Sequence, residues 1–246
     1  MATSLQYSDD YVEIVCHGSR AILHDRNSDR YFQVSAATVL PKVSTWNEYS
    51  QRIPNWLLTS FFFSFIALLI IDYYWFFVTT TPNLKVRDAI ALACFLTLNV
   101  GAHEFAHILA LRMCGRYIDK FGFKFNYKVF PAFYVRMNQA LLLARNERLF
   151  CHLAGLWVNL LITLIAIICI PGSIKSTIYI FLTMITMNIL PILNSDGQKA
   201  VTTLLNIDRP INMRSAGTIL KLIHFSSIIA AAIIIMRFCS NIITSF

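Results

Sequence analysis

Asp88 to Cys114 reads DAIALACFLTLNVGAHEFAHILALRMC, a run long enough to cross a bilayer core of about 30 Å, which takes about twenty helical residues. Within it stands His103-Glu104-Phe105-Ala106-His107. On a helix, positions i and i+4 share a face, so both imidazoles can hold one metal, with Glu104 near enough to reach the metal's water. Ionisable groups at membrane depth each cost at least ~2.5 kcal/mol, and three within one turn demand compensation. A zinc ion supplies it.

Working outward, four more apolar runs follow the same pattern: Trp56 to Val78, Phe150 to Ile170, Ile174 to Leu193 and Gly217 to Cys239. They predict a mainly α membrane protein of about five transmembrane helices, the third and fourth joined by a tight Pro171-Gly172 connection. Asp72, beside Tyr73, Tyr74 and Trp75, is expected near the interface belt. The bulk composition agrees, at 57% hydrophobic and 14% charged over 246 residues, with mean hydropathy +0.58. A soluble domain needs more polar surface than this, and a disordered chain far less apolar content. The net charge of +8 accompanies no basic recognition helix or RNA-binding motif, so nucleic acid is not expected as a partner. Six scattered cysteines without a C-x-x-C pair read as small buried hydrophobes.

Residues 1–54 are the long polar exception, predicted as a small β-rich cytoplasmic segment ahead of a polytopic membrane domain with the metal motif at 55–246. They open without the basic and apolar regions of a cleaved signal peptide, so the N-terminus is expected to be retained. Tyr11 to Cys16 and Ala21 to His24 read as strands, with Asp25 to Asp29 as a hairpin turn before Tyr31 to Val34. The loop between the second and third runs carries Arg116, Lys120, Lys124, Lys128, Arg136, Arg145 and Arg148. With Lys42, Arg52, Lys199, Arg209 and Arg214 falling on the same side, against only Lys85, Arg87 and Lys175 opposite, the N-terminus is expected inside and the C-terminus outside. From Phe121 to Val129 aromatic and polar residues alternate, and Pro131 with Phe133 to Val135 offers a partner strand, giving a membrane-associated β-hairpin at about 121–136. It is either an amphipathic ribbon on the membrane or an edge, with Phe123, Phe125 and Tyr127, that captures an extended peptide as an added strand.

A zinc hydrolase needs a third protein ligand and an open position. The metzincin pattern is absent, because Ala110 and Met113 occupy its Gly and His places. The one glutamate after Glu104 is Glu147, in the basic loop. Asp196 is better situated: the second and fourth runs cross in the same direction, both motifs lie toward their inner ends, and Pro191 with Gly197 lets the chain unwind and turn Asp196 inward. His103, His107 and Asp196 are therefore expected at one depth, toward the cytoplasmic side.

His103-Glu104-Phe105-Ala106-His107, together with Asn188, Pro191, Asp196 and Gly197 in the spacing N-x-x-P-x-x-x-x-D-G, resembles the site-two protease family of intramembrane zinc metalloproteases. The resemblance covers about residues 88 to 200. It implies that His103, His107 and Asp196 bind zinc, that Glu104 is the base, and that Asn188 helps near the substrate. Ala154 to Asn159 resembles the family's small-residue segment, with Leu156 where a proline is common, so Asn159 either contacts substrate or joins helices. His24 to Val34 and Tyr134 to Asn159 are similar to the branch of peptide zinc metalloproteases found beside peptide biosynthesis and export systems. That branch implies a bacterial cell-membrane protein and, as partners, a precursor peptide, the lipid bilayer and a peptide exporter. The expected reaction is peptide-bond hydrolysis in a membrane-associated precursor or single-span protein, whose helix must unwind to bare a carbonyl. Cleavage of a membrane-anchored regulator in signalling, and a non-catalytic exporter partner, are the alternatives. An iron hydroxylase would need several histidine boxes where this chain has one.

Overall fold

Alternating apolar residues in short runs separated by turn residues make the first forty-odd positions a sheet. A computed structural model describes residues 4–79, 86–126, 130–170, 175–192, 195–205 and 218–243. Strands β1 (Leu5–Ser8), β2 (Val12–His17), β3 (Arg20–Asp25), β4 (Arg30–Ser35) and β5 (Asn47–Glu48) form one antiparallel sheet in the order β4-β3-β2-β1-β5. Gly18, at φ 64°, turns β2 into β3, and Asp29, at φ 50°, sits in the turn before β4, where the Asp25 carboxylate accepts from the Asn27 and Ser28 backbone. β1 and β5 go beyond the sequence expectation: the alternation Leu5-Gln6-Tyr7-Ser8 spans only four residues, and β5 is two polar residues.

Both faces of this sheet are covered. Ile14, Cys16 and Ala21 pack with Ala36 and Val39 of α1 (Ala36–Val39), and Val15 and Ile22 pack with Leu142 on the other side. The chain divides into two compact units: Met1–Asn55 with Ile108–Arg148, and Trp56–His107 with Leu149–Phe246. Residues 108–148, which the sequence reading keeps with the membrane domain, group with the sheet through specific polar ties. Arg116 pairs with Glu13 at 2.6 Å, and Tyr31 donates to Asp119 at 3.1 Å. The Glu147 carboxylate, fully buried, accepts from the Tyr49 hydroxyl (2.6 Å) and from the backbone N–H of Arg52 and Ile53.

The expected hairpin is present in this unit as β6 (Lys120–Asn126) and β7 (Phe130–Arg136), paired from Lys120↔Arg136 to Asn126↔Phe130 in a separate two-stranded sheet. Phe123 and Phe125 lie in β6; Tyr127 lies outside the described residues.

The second unit is helical: α2 (Asn55–Val78), α3 (Val86–Met113), α4 (Arg145–Cys169), α5 (Lys175–Ile189), α6 (Asp196–Leu204) and α7 (Thr218–Ile243) contribute to it. Four stretches among the described residues are long and apolar enough to cross a membrane: Asn55–Val78, Ala89–Met113, Arg145–Cys169 and Thr218–Arg237. Their outward side chains include Phe63, Ile66, Ile70, Ile219, Leu222 and Phe225, a surface that suits lipid and not water. The chain is a membrane protein.

The run Ile174 to Leu193 behaves differently. α5 has 15 residues, about 22 Å of helix, and stops at Ile189 because Pro191 disfavours helical geometry at Leu190 and cannot donate an N–H. Ile178, Tyr179, Phe181, Leu182 and Ile185 are all buried, so α5 is the core around which the others pack. Phe76 of α2 stacks on Tyr179 at 4.5 Å, Trp157 of α4 donates to Ser64, and Tyr73 and Thr186 share a hydroxyl hydrogen bond. Asp72, expected near the interface belt, is fully buried on the inward face of α2. The Pro171-Gly172 connection and the cations Lys85, Arg209 and Arg214 lie outside the described residues.

Candidate metal centre

The i, i+4 spacing places His103 and His107 on one face of α3, with ring centroids 4.7 Å apart. Asp196 meets them from the first turn of α6. Its Oδ2 is 2.9 Å from His103 Nε2 and 3.3 Å from His107 Nε2, and the two Nε2 atoms are 3.1 Å apart. All three residues are buried. Ligands at about 2.0–2.1 Å from a tetrahedral zinc stand about 3.3 Å from one another, so these three donors already have the spacing of three corners of the tetrahedron. Two imidazole nitrogens and one carboxylate oxygen are also the donor types zinc takes. The residues fit the ion.

Each donor is held from behind. His107 Nδ1–H donates to the Cys151 carbonyl at 2.7 Å, which fixes the ring and turns its Nε2 into the site. His103 Nδ1 lies 3.1 Å from the side-chain amide of Asn159 on α4. Between the two contacts Gly155 lies so close that an added Cβ would stand 2.6 Å from both His103 Cε1 and His107 Nε2. Cys151, Gly155 and Asn159, four apart on α4, thus form one wall of the centre.

Asp196 is fixed by the break after α5. Ser195 caps α6, accepting from Gln198 N–H at 3.0 Å while its hydroxyl donates to the Leu190 carbonyl. Asn188 clasps Asp196 twice: its Nδ2 donates to Oδ2 and its Oδ1 accepts the Asp196 N–H, both at 3.1 Å. Lys199 donates to Oδ1 at 2.8 Å, leaving Oδ2 for the histidines. Gly197 is required for close approach: a Cβ there would meet the Ile189 carbonyl oxygen at 1.8 Å. Its backbone is helical within α6, so the turn uses the missing Cβ of Gly197 and not a left-handed φ. His224 of α7 donates to the Pro191 carbonyl at 3.2 Å.

Glu104 is half-buried next to His103. Of the residues singled out in the sequence, His103, His107, Asp196, Asn188 and Asn159 come together; Phe123 and Phe125 belong to the other unit. The Cys151 carbonyl and the space at Gly155 were not foreseen, since a backbone acceptor carries no residue signature. The signal for Gly155 was a small residue one turn before a buried amide in an apolar helix. His17 and His24 serve the N-terminal sheet, His17 bonding Ser4 and His24 bonding Asp29 while stacking on Tyr31.

No family model matches the chain, and no solved structure does. A Bacillus subtilis protein described as "Putative peptide zinc metalloprotease protein YydH" is 31% identical over 216 residues, spanning 83% of this chain and 84% of its own length. With identity and coverage at that level, the chain belongs to the family of peptide zinc metalloproteases.

Proposed function

We propose that the protein is an intramembrane zinc endopeptidase of the site-two type, in which His103, His107 and Asp196 hold zinc and Glu104 is the general base. The observation that carries this is the three-donor cluster, with contacts of 2.9, 3.1 and 3.3 Å, built from a membrane-length helix and the break beyond α5. Zinc held by these three residues would supply a nucleophilic water near neutral pH and a Lewis acid for the scissile carbonyl. Glu104 takes a proton from the attacking water on a carboxylate oxygen and returns it to the departing amine nitrogen. Cys151 and Asn188 keep His107 and Asp196 in register while it does so, and the buried position of the donors keeps bulk water away.

The substrate is a membrane-associated precursor peptide, unwound locally so that a carbonyl is free of its helical hydrogen bond. The β6–β7 edge, with Phe123 and Phe125 in β6, holds the unwound stretch as an added strand, Tyr127 of the same alternating sequence serves the same substrate, and Asn188 contributes near it. In the membrane, α5 is a short fifth span enclosed by the other helices, the N-terminus and active site face the cytoplasm, and a peptide exporter receives the product. The test is co-expression of a candidate precursor with wild type or Glu104→Gln. Cleavage is expected with the first and not with the second; cleavage by a folded, zinc-loaded Glu104→Gln protein overturns the assigned base.

A further inference from the structure

Asn159 sits on α4 only 7% exposed, with its amide nitrogen 3.1 Å from His103 Nδ1 and its Oδ1 buried without a hydrogen-bond partner among the described residues. His103 points its other nitrogen, Nε2, at Asp196 Oδ2 and His107 Nε2. A neutral imidazole has one N–H and one lone pair. If Nε2 gives its lone pair to zinc, the proton is on Nδ1, and an amide NH2 facing that N–H would set two donors against each other. An amide turned over about its last bond has the same shape and presents oxygen instead. Among the described residues nothing opposes the turn, because Oδ1 has no donor there holding it where it is.

We infer that Asn159 is the positioning residue of the zinc site: its Oδ1 accepts from His103 Nδ1–H, fixing the tautomer that directs the Nε2 lone pair to the metal. It does for His103 what the Cys151 carbonyl does for His107 at 2.7 Å. The two acceptors come from one face of α4, eight residues apart, with Gly155 midway between them. Asn159 then faces the metal ligand and is not spent on substrate. This rests on zinc being held by His103, His107 and Asp196. Groups behind a metal-bound histidine change metal affinity by about 10–100-fold when removed.

The experiment measures zinc affinity of the full-length protein in detergent by chelator competition, for wild type, Asn159→Leu, Asn159→Asp and His103→Ala. Asn159→Leu keeps the branched side-chain skeleton and removes the acceptor, so affinity is expected to fall about 10–100-fold. Asn159→Asp keeps an acceptor and cannot donate when ionised, so it is expected to stay within a few fold of wild type, by about the scatter of such contacts. Wild-type affinity in Asn159→Leu, or a loss in a folded Asn159→Asp as large as in Asn159→Leu, overturns the assignment. Nitrogen-15 spectra of the zinc-loaded wild type give a readout independent of any variant: His103 is expected to carry its proton on Nδ1, and a proton on Nε2 overturns the inference. Full zinc occupancy in His103→Ala would remove the metal site itself, and the Asn159 assignment with it. Wild-type affinity in Asn159→Leu beside an empty His103→Ala removes the Asn159 assignment alone.

Discussion

Gly155→Ala puts one methyl group into the wall of the metal centre. The new carbon would stand 2.6 Å from His103 Cε1, 2.6 Å from His107 Nε2 and 2.7 Å from His103 Nδ1. Carbon contacts are comfortable from about 3.5 Å, so the rings and α4 must separate by about 0.9 Å. Neither ring is free to yield, since His107 is held by the Cys151 carbonyl and His103 by Asn159 and Asp196. Metal sites tolerate errors of about 0.2 Å in ligand position, so a shift several times larger should weaken zinc at least as much as losing a supporting hydrogen bond, about 10–100-fold. The fold should suffer less: alanine gains about 0.5–1 kcal/mol over glycine within a helix, against an overpacking cost of about 1–3 kcal/mol. Gly101→Ala is the matched control, because a Cβ at that position of α3 meets nothing within 4 Å. It is expected to leave zinc affinity unchanged. Chelator competition and thermal unfolding of both variants check this. Wild-type zinc affinity in a folded Gly155→Ala protein would refute the claim that the helix wall sets the donor spacing.

Glu147→Ala leaves the Tyr49 hydroxyl and the Arg52 and Ile53 N–H groups without their buried acceptor, and at about 1–3 kcal/mol per orphaned group the loss should exceed about 3 kcal/mol, read as a lower melting temperature of the full-length protein. Asp9 accepts from the Val12 and Tyr11 backbone N–H and from the Tyr7 hydroxyl, which hold its carboxyl below the usual carboxylate range. Its folded pKa is depressed, so its contribution is complete above about pH 4 and is lost as pH falls through the lowered value. Asp9→Asn should therefore show a shallower loss of stability in acid than wild type, measured by unfolding at a series of pH values.

The parts of this protein that were legible in the sequence are those where a period and a chemistry coincide. His103 and His107 announce themselves through helical spacing in an apolar run whose other charges are Glu104 between them and Asp88 and Arg112 near its ends, and β2, β3 and β4 through alternation bounded by turn residues. The run from Ile174 to Leu193 was read at its apolar length, but hydropathy does not tell lipid from protein as the surrounding medium. α5 is apolar because Tyr179, Phe181 and Leu182 face other helices, and its length is cut by Pro191. The grouping of residues 108–148 with the sheet depends on pairs such as Tyr31 with Asp119 and Tyr49 with Glu147, 88 and 98 positions apart. No local pattern carries such a pairing.

The wall of α4 explains how three ionisable groups can be stored in a buried cluster before any ion arrives. The cost of a buried polar atom falls on the atom that lacks a partner, and here the donors are partnered on both sides. His107 bonds the Cys151 carbonyl and Asp196, His103 bonds Asp196 and Asn159, and Asp196 adds Asn188 and Lys199. Such a network restrains the rings to within a few tenths of an ångström of tetrahedral spacing, so little reorganisation is left for metal binding to drive. The same restraint makes the site sensitive to volume. Gly155 and Gly197 sit where backbone or ring atoms approach closer than a methyl group allows, one beside the histidine pair and one beside the aspartate. The histidine pair on α3 and the aspartate on α6 are therefore placed by the helices that carry none of the three donors: α4 from behind the imidazoles, and the end of α5 from behind the carboxylate.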